Sequence, residues 1–159
     1  MPNPNFRQWL YRGQRPNWIA RILNLPAAIV ATSGITGNYM ETLEVIGRKS
    51  GRVISLPVVI ALVEGQRYLV SMLGDKAQWV LNVRAAGGQA VMHSGRRTTV
   101  QLENVPIHER APILKAYLKR APGARPHMLV DKDAPLVEFE KIAADYPVFQ
   151  IVANPTIAH

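Results

Sequence analysis

Cysteine is absent from the 159 residues. Disulfides, thiolate metal sites and cysteine nucleophiles are therefore excluded, and nothing points to an oxidising compartment. Acidic side chains are also scarce, 11 against 19 Lys and Arg, which leaves a formal charge of +8 and a pI near 10.2. That balance favours anionic partners: phosphates, nucleic acid, acidic lipid headgroups or carboxylate-bearing ligands. Outside the N-terminal arm, stacking aromatics are not interleaved with the basic residues on one obvious strand or helix. A nucleic-acid module would therefore rest on charge alone, and no nucleic-acid partner is expected. No apolar run reaches the roughly 18 residues of a spanning helix. The opening "MPNPNFRQWLYRGQRPNW" is polar and broken by Pro and Arg, unlike a signal peptide. The default expectation is a soluble, cytoplasmic protein. Histidine is sparse too: His93, His108, His127 and His159 are scattered without ligand spacing, so no metal is expected. No serine sits in a nucleophile-elbow context. Glu138, Glu140 and Asp145 read as the solvated face of a helix. With so few reactive groups, any enzymatic activity would rest on a bound cofactor that the protein positions.

What is present suits one domain with a core of ordinary size: 48% of the residues are hydrophobic. Residues 1–40 read as an N-terminal arm and a short helix, and 41–159 as the main domain. The helix, "PNWIARILNL", starts at Pro16 and places Trp18, Ile19, Ile22 and Leu23 on one face. Arg12, Arg15 and Arg21 lie near Trp9, Tyr11 and Trp18. This mixture suits either a basic surface helix docked by its aromatics or a peripheral membrane contact or lid.

"METLEVIG" reads as a first strand. "RVISLPVVIALV" is a near-continuous β-branched run and predicts a strand buried on both faces. "EGQ" predicts a hairpin turn and "RYLVSML" the return strand. "GDKAQWVLNVRAAGG" predicts a helix capped by Asp75 and stopped by Gly87 and Gly88. "QAVMHS" and "TTVQLENV" form a second hairpin. "IHERAPILKAYLKRAP" is an amphipathic helix with Ile113, Leu114, Tyr117 and Leu118 inward. "APLVEFEKIAADY" is a last helix and "PVFQIVA" a last strand. Strands that arrive mostly as hairpins predict an α+β fold: an antiparallel barrel with flanking helices.

Three stretches carry candidate chemistry. In "GRKSGR", Gly47 and Gly51 bracket Arg48, Lys49 and Ser50, with Arg52 beyond. Glycine permits a sharp turn and close ligand approach. Arg offers a planar fork, Lys a compact charge and Ser a hydroxyl, so the turn could grip an anionic tail. An exposed basic hairpin that only confers solubility fits equally well. Pro57, within the apolar strand, marks either a plain edge or a strand that faces a flat ligand beside Val59. Trp79 and Asn82, three apart on a helix, and Arg84 would hold a ring and a polar tail; a core tryptophan with a backbone-bonded Asn fits them too.

In this order the three pieces resemble the deazaflavin-dependent nitroreductase family, split-barrel proteins that use coenzyme F-420. The residues that carry the resemblance are "GRKSG" at 47–51, "LPVV" at 56–59, "YLVSMLGDKAQ" at 68–78 and "WVLNVRAA" at 79–86. It is clear from Thr42 to Ala86 and looser to Val152. It implies an FMN-binding-like split β-barrel with F-420 in a groove and hydride transfer to a quinone-like or nitroaromatic acceptor. By that similarity, Arg48, Lys49, Ser50, Gly51 and Arg52 meet the acidic tail. Ser55, Pro57 and Val59 run beside the ring, Ser71, Met72 and Gly74 approach from the return strand, and Trp79, Asn82 and Arg84 close the site. FMN is the rival cofactor. The chain departs from the family pattern at Val80, where relatives often carry Tyr. It departs again in "LVEFEKIAADYPV", which has Phe139 and a lone Tyr146 where relatives often place pocket tyrosines. A non-catalytic binder of F-420, a flavin or a lipid-like ligand is therefore the alternative reading.

Overall fold

The computed structural model describes residues 39–128 and 130–154. The N-terminal arm and the helix expected over 16–25 lie outside the described residues. Seven strands form one sheet: β1 Met40–Ile46, β2 Val53–Val59, β3 Ala61–Val63, β4 Gln66–Val70, β5 Gln89–Ser94, β6 Arg96–Asn104 and β7 Val148–Ala153. Helix α1, Gln78–Ala85, follows β4; α2, Ala111–Arg120, follows β6; α3, Leu136–Ile142, precedes β7. Every strand pairing is antiparallel, in the order β2-β1-β5-β6-β7-β4-β3.

That order makes β2 and β3 opposite edges of the sheet, yet only Ile60 separates them in the chain. One residue spans about 3.3–3.6 Å at most. The two edges must therefore meet, and the sheet curls into a barrel. The Ile60 N–H donates to the Tyr39 carbonyl at 2.7 Å. Glu41 on β1 pairs with Arg67 on β4, which ties strands near the two ends of the order to each other.

Period-two alternation divides the buried residues between two cores. Leu69 on β4 and Phe149 on β7 face an inner core with Leu43, Val45 and Met92, sealed by Val80 and Val83 of α1. Their neighbours Val70 and Val148 face an outer core, where Ile113, Leu114 and Leu118 of α2 meet Phe139 of α3. Each fully buried side chain of this kind contributes about 1.5–3 kcal/mol relative to exposure. Both hairpins, the amphipathic helix and the final helix and strand stand where the sequence pattern predicts them.

Three local expectations change. The β-branched run does not make one strand buried on both faces. It breaks at Ile60, and most of β2 is only half-buried because it is an edge strand. The return strand ends at Val70, so Ser71, Met72 and Leu73 belong to the turn leading to α1. Asp75 does not cap α1. Ala77 holds the cap position, and the Asp75 carboxylate instead accepts a hydrogen bond from Arg84 at 2.9 Å.

Tyr117 lies on the buried face of α2, and burial pushes its phenol up to about 12 from an ordinary value of 10. The raised value favours the protonated phenol in the folded state. Its contribution is complete below pH 10 and is lost as pH rises toward 12, because the unfolded chain releases the proton first. Unfolding titrations are expected to show a steeper alkaline loss of stability for the wild type than for Tyr117→Phe, by up to roughly 2–3 kcal/mol between those pH values. Parallel curves would contradict the buried phenol as the cause.

Candidate functional site

The turn between β1 and β2 is closed by two backbone hydrogen bonds, Gly47 N–H to the Arg52 carbonyl at 2.8 Å and Gly51 N–H to the Gly47 carbonyl at 2.9 Å. Gly51 has φ near +69°, the left-handed region that residues with a Cβ avoid, and open space surrounds it. The Ser50 hydroxyl accepts from the Arg52 N–H at 3.2 Å, so the side chain that could meet a ligand also shapes the turn. Arg48, Lys49, Ser50, Gly51 and Arg52 are all exposed. Lys49 and Arg52 form no ion pair among the described residues.

Among the described residues, Arg48 is held in place without a carboxylate. Asn82 Oδ1 accepts from the Arg48 backbone N–H at 3.1 Å and from its Nη1 at 2.8 Å. Gln78 Oε1 accepts from Nη2 at 3.0 Å. Gln78 and Asn82 are four residues apart and share one face of α1. Asn82 is 2% exposed, and both lone-pair directions of its carbonyl are used. The turn and the helix, more than thirty residues apart in sequence, are thus locked together through neutral amides.

The other predicted residues occupy different surroundings. Ile54, Leu56 and Val58 pack against the inner core, so Ser55, Pro57 and Val59 alternate onto the opposite face of the edge strand β2. Pro57 pairs in register with Thr42, and an edge strand is where a residue lacking an N–H is tolerated. Ser55 is 1% exposed and its hydroxyl has no hydrogen-bond partner among the described residues. The Ser71 hydroxyl donates to the Gly74 carbonyl at 2.7 Å, and Gly74 lies beside the Asp145 carbonyl. Met72 packs against the outer core with Val59. Trp79 turns its ring edge onto Phe149, 5.8 Å between centroids, at the inner core. Arg84 is half-exposed and paired with Asp75. The structure therefore joins Asn82 to the cationic turn, lays the partly buried Trp79 ring against the inner core, and matches the Arg84 charge with an acid.

Two residues with roles here escape the sequence pattern. Gln78 carried a usable signal, the four-residue spacing to Asn82. Arg110 carried none: it stands at the start of α2, buried, and among the described residues bonds only neutral acceptors, Val105 O at 2.8 Å, Ala143 O at 3.0 Å, Tyr146 O at 3.4 Å and Asn104 Oδ1 at 3.3 Å. Burial lowers its pKa, the nearby Asp75 charge raises it, and Arg84 lowers it further.

The exposed donor set suits an anionic group. Exposed cations surround a glycine turn, and an unpartnered buried hydroxyl lies on the adjoining strand. Among the described residues no helix is long and apolar enough to cross a membrane.

Solved structures resemble this chain at low identity. A putative 5-nitroimidazole antibiotic resistance protein from Bacteroides thetaiotaomicron aligns with 80% of this chain and 79% of its own, at 8% identity and a TM-score of 0.51. A protein of unknown function from Agrobacterium tumefaciens aligns with 81% of this chain and 54% of its own, at 13% identity and a TM-score of 0.53. A heme binding protein from Mycobacterium smegmatis aligns with 79% of this chain and 48% of its own, at 18% identity and a TM-score of 0.49. The chain thus spans about half the length of the last two. No curated protein sequence matches it. The fold is an α+β split barrel. The family model described as F420H2-dependent quinone reductase matches residues 25–140, well over half of the chain, and covers the cationic turn, β2 and α1. The chain belongs to the F420H2-dependent quinone reductase family.

Proposed function

We propose that this protein is an oxidoreductase that holds F-420 against β2 and passes a hydride from the reduced coenzyme to a quinone-like, nitroaromatic or other small organic acceptor. The family is F420H2-dependent, so F-420 is the expected cofactor. The observation that carries the reading is the exposed cationic turn whose Arg48 is fixed by neutral oxygens. Arg48, Lys49 and Arg52 would take the phosphate and glutamate carboxylates of the tail, with Ser50 as a hydroxyl donor and Gly51 allowing close approach. Ser55, Pro57 and Val59 would flank the ring, and the unpartnered Ser55 hydroxyl would gain a polar edge to bond. Ser71, Met72 and Gly74 would bound the ring from the turn after β4, and Asn82 would hold the tail end in register. Trp79 would act from behind as a wall, and Arg84, already paired with Asp75, would contribute little charge.

When bound, the coenzyme supplies the hydride chemistry. The chain supplies position and dryness: the reacting atoms must be held about 3–3.5 Å apart, and apolar strands must keep water out. The acceptor would also take up one proton for each hydride, which solvent can deliver after transfer, so little acid or base machinery is needed in that scheme. Residues 41–159 would form the coenzyme-binding domain, and 1–40 an arm that would make a peripheral membrane contact.

Titration with F-420 and with FMN, followed by fluorescence, tests the cofactor. Tighter binding of F-420, weakening as salt rises, is the expected result. Tighter binding of FMN, or no binding of either, would overturn the reading. Sequestration without turnover is the second reading. It is favoured by the tyrosines: Tyr117 is buried and the Tyr146 hydroxyl donates to the His127 carbonyl at 3.0 Å, so both already have places in the fold. Oxidation of reduced F-420 by menadione or a nitroaromatic in the presence of the protein separates the two.

A further inference from the structure

We infer that Gln78 is a positioning residue for coenzyme binding: it aims the Arg48 guanidinium at the acidic tail while leaving its charge intact. This rests on the F-420 reading above.

A guanidinium has five N–H donors in a fixed plane. In Arg48 one hydrogen of Nη1 goes to Asn82 and one of Nη2 goes to Gln78. Three N–H groups are left, and the plane is held at two corners. Both acceptors are amide oxygens, so nothing in this contact cancels the positive charge. The same helix shows the opposite arrangement at Arg84, whose guanidinium meets the Asp75 carboxylate. A carboxylate where Gln78 stands would fasten Arg48 at least as firmly, but it would compete with the ligand for the charge. The amide thus provides orientation without neutralisation. Asn82 is buried and also holds the turn's backbone, whereas Gln78 is exposed and touches Arg48 only through the guanidinium. Changing Gln78 therefore tests orientation with little disturbance of the fold.

The experiment compares F-420 affinity, by fluorescence titration at two salt concentrations, for the wild type, Gln78→Glu, Gln78→Ala, Arg48→Ala and the double variant of Gln78→Ala with Arg48→Ala. Gln78→Glu is expected to bind about tenfold more weakly, with a flatter salt dependence, because one cation is locally cancelled. It should fold at least as well as the wild type, since an acid in the first helical turn suits the helix dipole. A merely structural glutamine would predict no loss of affinity. Gln78→Ala is expected to lose about threefold with an unchanged salt dependence. In the Arg48→Ala background it should lose nothing further, because its effect runs through that side chain. Wild-type affinity and salt dependence in Gln78→Glu, or a Gln78→Ala effect that persists without Arg48, overturns this inference alone. Failure of the wild type to bind F-420 overturns the functional reading and this inference with it.

Discussion

Arg48→Ala is expected to weaken F-420 binding by roughly 30–100-fold, the largest effect of any single change in the cationic turn. Truncating a charged partner of a charge-assisted hydrogen bond costs about 2–3 kcal/mol when its position is fixed beforehand. Arg48 meets that condition, because its backbone N–H and two of its guanidinium nitrogens are already held by Asn82 and Gln78. Lys49 and Arg52 have no such restraint from the described side chains, so each must lose its own rotamer freedom on binding. Smaller losses, about three- to tenfold, are expected for Lys49→Ala and Arg52→Ala. Arg48→Lys keeps the charge but loses the planar fork that reaches both amides, and should fall between wild type and alanine. Truncation of Arg48 also takes one of two donors from the buried Asn82 oxygen, the backbone N–H remaining, so a thermal melt must accompany the titration. A Kd for Arg48→Ala within twofold of wild type, in a folded protein, would remove Arg48 from the site.

Arg110→Ala is expected to lower the free energy of unfolding by about 3–5 kcal/mol. Its side chain is 5% exposed and joins three parts of the chain: the end of β6 through Asn104 and Val105, the start of α2, and the 143–146 turn before β7. Each carbonyl left buried without a donor costs about 1–3 kcal/mol. The guanidinium itself has paid a desolvation penalty, visible in its lowered pKa, without a carboxylate in its hydrogen-bond set. Its net worth therefore lies in satisfying the backbone acceptors that it joins rather than in Coulomb attraction. Lysine at this place cannot bond the same acceptors in one plane, so Arg110→Lys should recover less than half of the loss. Urea unfolding at neutral pH would read both variants. A loss below about 1 kcal/mol for alanine would mean that water or neighbouring groups already satisfy those carbonyls.

Much of this fold is legible in the one-dimensional pattern. Alternation in "METLEVIG", the short apolar run "PVFQIVA", the turn at Glu64 and Gly65, and the apolar stripe of Ile113, Leu114, Tyr117 and Leu118 express local rules that need no partner. The errors fall where local rules meet a tertiary constraint. The run from Arg52 to Val63 looks like one strand because its apolar, largely β-branched residues are nearly continuous. Barrel closure breaks it at Ile60, since two sheet edges must meet there. Asp75 looks like a helix cap because Asp before a helical run usually is one. It is drawn instead to Arg84, nine residues on, and the helix begins at Gln78.

The candidate site divides along the same line. Residue types and turn chemistry by themselves place the cations, Gly51 and Pro57 on a hairpin and its edge strand, because backbone preference and charge are properties of the residue. They also bring the family pattern into view. They do not say which cations keep their charge. Arg48 and Arg84 read alike as arginines near a helix, yet Arg48 meets two neutral amides and Arg84 meets a carboxylate. Electrostatic interaction depends on distance in space, and each of these partners is brought within 3 Å by the curl of the sheet and the seating of α1 against it. Only the tertiary structure decides that Arg48 remains available to an anion.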